Sequence, residues 1–143
     1  MSGLEIEVLI ADDAQSPVSA EKLAAAASQT LEQLGVESGH VAIEVVGEFR
    51  IHELNREHRG VDKPTDVLSF PVDGEEIATD GPPLGGLAPL ELGDVVINPE
   101  HTEDMVVATV HGVLHLCGYD HEVDDGEMLD VQDRIVDELD LDA

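Results

Sequence analysis

In a chain where 27% of residues are charged, the run from Met105 to Cys117 contains no Asp, Glu, Lys or Arg. Met105, Val106, Val110, Val113 and Leu114 fall on several sides of a helix rather than on one stripe. A helix that is apolar on most sides must be covered on most sides, so this segment predicts a buried central helix around which the rest of the chain is built. The spacing places it over residues 101 to 117, with Pro99 where a first helical turn tolerates proline.

The remaining segments supply the cover. Leu4, Ile6, Val8 and Ile10 alternate with polar neighbours, the period of a half-buried strand. After a turn over Asp12 to Pro17, Leu23, Ala27, Leu31 and Leu34 recur at helical spacing, with Ser16 or Ser19 as cap and Gly35 as the stop. Val41 to Val46 alternates again. Residues 49 to 59 read as a short helix with Phe49, Ile51 and Leu54 on its buried side. Pro64-Thr65-Asp66 turns into the apolar run Val67-Leu68-Ser69-Phe70, closed by Pro71.

Residues 72 to 91, rich in glycine, proline and acid, read as a surface loop that gates a site. Leu92 to Asn98 is the next strand. From Asp124 to Leu139, Met128, Val131, Ile135 and Leu139 form one stripe, the pattern of a covering helix. Strands and helices interleave, there is no internal repeat and no dividing linker, and 143 residues suit a single domain. The expected fold is therefore α/β (α+β): one domain, a roughly four-stranded mixed sheet packed with helices.

Composition narrows the setting. No apolar run approaches the roughly 18 residues that cross a bilayer, and the N-terminus lacks the basic and apolar regions of a secretory signal, so no membrane contact and a cytoplasmic location are expected. The single cysteine, Cys117, excludes an internal disulfide; two residues beyond His115, it faces away from that residue and reads as a small core side chain. With 33 acidic against 6 basic side chains, the formal net charge is -27. Such a surface repels nucleic acid unless salt screens it or the cations are gathered. Arg50, Arg56, Arg59 and Lys63 gather four of the six, although Glu53, Glu57 and Asp62 are interleaved among them and a solvated helix face is the competing reading. A surface this acidic and this poor in lysine also suits a protein working in concentrated salt.

The predicted central helix carries chemistry. In His111-Gly-Val-Leu-His115-Leu-Cys-Gly118-Tyr-Asp-His121, the first two histidines are four apart and project from one helical face, where two imidazoles can reach one ion. Gly118 lets the chain turn so that His121 can return as a third nitrogen ligand. Three protein ligands with one open position is the arrangement of a catalytic zinc, whereas structural sites are usually closed by four. A lone His-x-x-x-His pair would carry little weight; the triple with an intervening glycine carries much more. The chain thus reads as a metal-dependent hydrolase in which zinc lowers the pKa of water to roughly 7 and polarises a phosphoryl or carbonyl oxygen.

Zinc peptidases of the His-Glu-x-x-His type place a glutamate base beside the first histidine, and here that position is Gly112. The continuation through Gly118 to His121 does match the extended metzincin spacing, so ligand geometry is shared while the usual base is missing. An arginine is the natural group to neutralise a phosphodiester, because its planar fork stays charged and grips two oxygens. Arg59, at the end of the short helix, is the candidate, although chain chemistry alone favours an ordinary surface arginine in a helix cap. Asp66, Asp94 and Asp120 are carboxylates that can orient a ligand imidazole or handle protons, and each serves as well to cap a turn.

These residues resemble the YbeY endoribonucleases of bacteria, also called rRNA maturation factors. The likeness rests on the histidine block from His111 to His121, on Leu54-Asn55-Arg56-Glu57-His58-Arg59 leading through Asp62-Lys63-Pro64-Thr65-Asp66 to Pro71, and on Leu92-Gly93-Asp94-Val95-Val96-Ile97. These three blocks cover about half the chain, while the N-terminal third matches only in the order of its elements. The resemblance implies a small mixed-sheet fold, one zinc ion held by His111, His115 and His121, and a functional arginine at Arg59. It also implies single-strand-specific endoribonuclease activity in ribosomal RNA maturation, at the 3′ end of the small-subunit RNA, and in ribosome quality control. The implied partners are ribosomal RNA and the small ribosomal subunit. The acidic surface and scarcity of aromatics depart from the usual RNA-handling pattern, which fits a weak intrinsic RNA affinity and delivery by a ribosomal or GTPase partner. Two other readings stand beside this one: a metzincin-like metallopeptidase or other metal-dependent hydrolase, and a non-catalytic ribosome assembly factor with a structural zinc.

Overall fold

The computed structural model describes residues 3–71, 91–119 and 126–141. Its elements are β1 (Gly3–Ile10), α1 (Ala20–Gln33), β2 (Ser38–Val45), α2 (Glu48–Arg59), β3 (Val67–Pro71), β4 (Glu91–Ile97), a 3-10 turn at Pro99–His101, α3 (Met105–Leu116) and α4 (Glu127–Leu141). The four strands form one sheet in the order β1-β2-β4-β3. β1, β2 and β4 run parallel, while β3 pairs antiparallel with β4. The sheet is therefore mixed, as expected from the sequence, in an α+β domain with four helices among the described residues.

Strand chemistry explains the layering. In β2, Val41, Ile43 and Val45 are buried on one face while His40, Ala42 and Glu44 are half-buried on the other. β4 buries Val95, Val96 and Ile97 in succession, because both of its faces are covered at that end. On the first face, Val41, Ile43, Val45, Val95 and Ile97 pack with Leu23, Ala27 and Leu31 of α1 and with Met105, Ala108, Val113 and Leu116 of α3. On the second face, Val96 and Leu68 pack with Val46 and with Ile51 and Leu54 of α2. A third cluster lies outside the first: Ala26, Val110 and Leu114 meet Met128 and Ile135 of α4.

α3 is thus enclosed between the sheet on one side and α1 and α4 on the other, the central position its apolar sequence demands. The covering helix has Met128 and Ile135 fully buried, with Val131 and Leu139 packed alongside. No helix among the described residues is long and apolar enough to cross a membrane.

Local differences from the sequence expectations have identifiable causes. The central helix begins at Met105 rather than at residue 101, because two side-chain caps divide the segment. Asn98 accepts from the His101 N–H and closes a short turn with Pro99 at its first position; Asp104 then accepts from the N–H groups of Val106 and Val107 and restarts the chain as α3. Of the two candidate caps of α1, Ser19 accepts from Lys22 N, whereas Ser16 turns back on Val18. Phe49 is 78% exposed while Ile51 is fully buried. The two lie about 200° apart around a helix axis, so one face cannot hold both. Glu91 opens β4 rather than ending the loop. The rest of that loop, residues 72–90, and the expected helix start at Asp124 lie outside the described residues.

Candidate active site

Because α3 is packed against the sheet through Met105, Ala108, Gly112, Val113 and Leu116 and against α4 through Val110 and Leu114, a stripe remains at Val107, His111 and His115. These three, spaced by four residues, are half-buried. The rings of His111 and His115 meet edge to face with centroids 4.8 Å apart. Two imidazoles bound to one tetrahedral ion at a Zn–N distance of about 2.0–2.1 Å would have centroids about 5 Å apart, so the pair stands at a spacing that fits a shared metal. The third expected ligand, His121, and the neighbouring Asp120 lie outside the described residues. Among the described residues no group of three or more His, Cys, Asp and Glu side chains converges on one point.

His111 also has a partner on a different helix. Its Nδ1 lies 2.8 Å from Oε1 of Gln132 on α4. A carbonyl oxygen only accepts, so the ring form that satisfies this contact carries hydrogen on Nδ1, and in the neutral ring that tautomer has its lone pair on Nε2.

Gly112 shows why the helix comes so close to the sheet. A Cβ there would stand 2.5 Å from Val95 Cγ1 and 3.3 Å from Ser69 Oγ. In the space that glycine leaves, Ser69 Oγ donates to the Gly112 carbonyl at 3.0 Å, tying α3 to β3. The position beside the first histidine therefore has no room for the glutamate of a zinc peptidase. Cys117, at the C-terminal cap of α3, packs against the main core, and burial pushes its thiol up to about 11, so it remains a neutral thiol at physiological pH.

His111 opens onto a cleft of about 550 Å³ whose lining includes Asp66, Val67, His101, Thr102, Asp104 and Val107. Asp66 Oδ1 accepts from Val67 N at 2.8 Å and from Thr65 Oγ1, while its carbonyl accepts from Asn98 N. Asn98, fully buried, organises this wall: its Nδ2 donates to Val46 O, and its Oδ1 and carbonyl accept from His101 N and Thr102 Oγ1. The fold thus brings Asp66 and His111 to one cleft.

Asp94 and Arg59 are not among the residues lining this cleft. Asp94 alternates with Val95, which faces α3, and so projects from the opposite face of the sheet. Burial, reinforced by Glu91 and Glu7 and opposed by His40, holds its carboxyl above the usual carboxylate range. Arg59 is exposed at the last residue of α2, where Gly60 at φ 72° ends the helix. The segment after it is pinned by Asn55, whose Nδ2 donates to Lys63 O. Asn55, Asn98 and Gln132 escape a reading of spacing, because the contacts that matter, to Lys63 O, Val46 O and His111 Nδ1, exist only once the chain has folded. Asn98 alone leaves a trace, as a polar residue between an apolar strand and a proline.

A model of the family described as endoribonuclease YbeY matches residues 8–140. With the mixed sheet and its four helices, this defines the class as a small α+β hydrolase. An endoribonuclease YbeY of Brevibacillus brevis is 42% identical over 122 residues, covering 72% of this chain and 76% of that protein. Another, of Azorhizobium caulinodans, is 42% identical over 139 residues, covering 85% and 82%. The solution structure of TM1509 from Thermotoga maritima superposes with a TM-score of 0.51 at 28% identity, covering 94% of this chain and 88% of that one. The chain belongs to the YbeY endoribonuclease family.

Proposed function

We propose that this chain is a zinc-dependent, single-strand-specific endoribonuclease that matures ribosomal RNA, at the 3′ end of the small-subunit RNA, and takes part in ribosome quality control. The observation that carries the reading is the His111–His115 pair, two rings 4.8 Å apart on one half-buried stripe of a central helix, with His111 lining the cleft, in a member of this family. His111, His115 and His121 would hold the ion. When bound, zinc supplies Lewis acidity, making water a stronger nucleophile near neutral pH and drawing charge from a phosphoryl oxygen.

The protein's own groups do the rest. Arg59, exposed at the end of α2 and permanently charged, is assigned the phosphate on the strength of the family resemblance: outside the lining of the cleft, it would grip non-bridging oxygens of an RNA strand that extends from the cleft and offset charge on phosphorus. Asp66, whose Oδ1 accepts from Val67 N at the cleft wall, is the carboxylate to which we assign the proton. Gly112 supports RNA over peptide as substrate, since the base that peptide hydrolysis uses has no room beside His111. The net charge of -27 supports weak intrinsic RNA affinity, and with it delivery to the small ribosomal subunit by a protein partner.

Precursor ribosomal RNA incubated with zinc-loaded wild type, His115→Ala and Arg59→Ala tests this. Cleavage is expected from wild type alone, with zinc retained by the arginine variant. Equal cleavage by all three would betray a contaminating nuclease, and wild type that cuts casein but not RNA would make the protein a peptidase. Zinc uptake with no cleavage of either would leave an assembly factor with a structural ion.

A further inference from the structure

We propose that Gln132 is a positioning residue for the first histidine of the site. The inference rests on the function proposed above and adds a residue from α4 to the three histidines. His111 Nδ1 and Gln132 Oε1 are 2.8 Å apart, both side chains are half-buried, and 21 residues separate them in sequence. The amide oxygen has no hydrogen to give, so this contact selects the ring form protonated on Nδ1 and aims Nε2 as the donor atom. A histidine that binds a metal through one nitrogen commonly gives the hydrogen on the other to an acceptor, which fixes ring orientation and strengthens the ligand.

α4 can hold that acceptor in place. Met128 and Ile135, one turn to either side of Gln132, are fully buried against Val110 and Leu114 of α3, so the two helices are locked in register around the contact. Gln33 of α1 also donates to Glu138 one and a half turns further along. α4 is then more than a cover for the core: it is the outer wall that orients the site.

The test uses the full chain and two variants, Gln132→Met, which keeps the length and helix preference of the side chain but removes the acceptor, and Gln132→Glu, which keeps an acceptor. Nitrogen-15 imidazole spectra of the metal-free proteins report which ring nitrogen of His111 carries hydrogen, and competition with a chelating dye reports zinc affinity. Wild type and Gln132→Glu are expected to show the hydrogen on Nδ1. Gln132→Met is expected to lose that preference and to bind zinc about 10- to 100-fold more weakly, with an unchanged melting profile. Hydrogen on Nδ1 in Gln132→Met as in wild type would overturn the proposal. If wild type takes up no zinc, the function reading fails, and the spectra of the metal-free proteins still decide whether Gln132 sets the ring.

Discussion

Asp94 shows how a single side chain can be read from its neighbours. It stands on the face of the sheet that carries Glu91, Glu7 and His40, and burial followed by repulsion from Glu91 raises its carboxyl pKa from 3.8. A carboxyl that binds its proton more tightly folded than unfolded opposes folding once ionised. That deficit is absent below the unfolded value and complete above the folded one. Asp94→Asn should therefore raise the melting temperature at pH 7 by about 1–3 °C, with the gain vanishing under acid conditions, because the site is partly solvated. Thermal scans at several pH values check this; a lower melting temperature at pH 7 would show that the carboxylate makes a contact worth more than its repulsion. Since Asp94 faces away from α3, the same variant should retain zinc. The histidine triple was legible as a spacing, whereas Gln132 was not: one glutamine on a helix has no period to mark it.

At the scale of elements, the decisive contact is the docking of α3 on β4 and β3. Gly112 lets the helix approach until Val95 and Ser69 touch its backbone, and a methyl group there would meet Val95 Cγ1 at 2.5 Å. Alanine improves helix preference by about 1 kcal/mol, yet overpacking a filled core costs about 1–3 kcal/mol, so Gly112→Ala should be destabilising on balance. A lower urea midpoint is expected, and adding Val95→Ala should recover part of it, since the two positions share one contact. A raised midpoint in Gly112→Ala alone would mean that the helix sits further from the sheet. The helices and strands themselves were readable because Leu23, Ala27 and Leu31, or Val41, Ile43 and Val45, repeat at their own periods. Their ends were less so. Asn98 and Asp104 split one apolar-flanked segment into a turn and a helix, a competition between two caps that periodicity does not register. Strand order was not legible either, because β4 inserts between β2 and β3 through contacts far apart in the chain.

At the scale of the whole molecule, charge sets the working conditions. The chain carries -27 with only six Lys and Arg residues, so repulsion across the surface opposes the compact state until ions screen it. Its melting temperature should climb as KCl is raised from low to molar concentration, and a value indifferent to salt would argue against adaptation to a concentrated ionic medium. The same repulsion should make RNA binding strongly dependent on salt. The claim on which the account turns is that His111, His115 and His121 hold one divalent ion. Elemental analysis of native protein and of His115→Ala, after exhaustive dialysis and again after zinc titration, tests it most directly. One ion per chain in wild type and none in the variant is the predicted result; no ion in wild type after titration, or equal content in both, would contradict it.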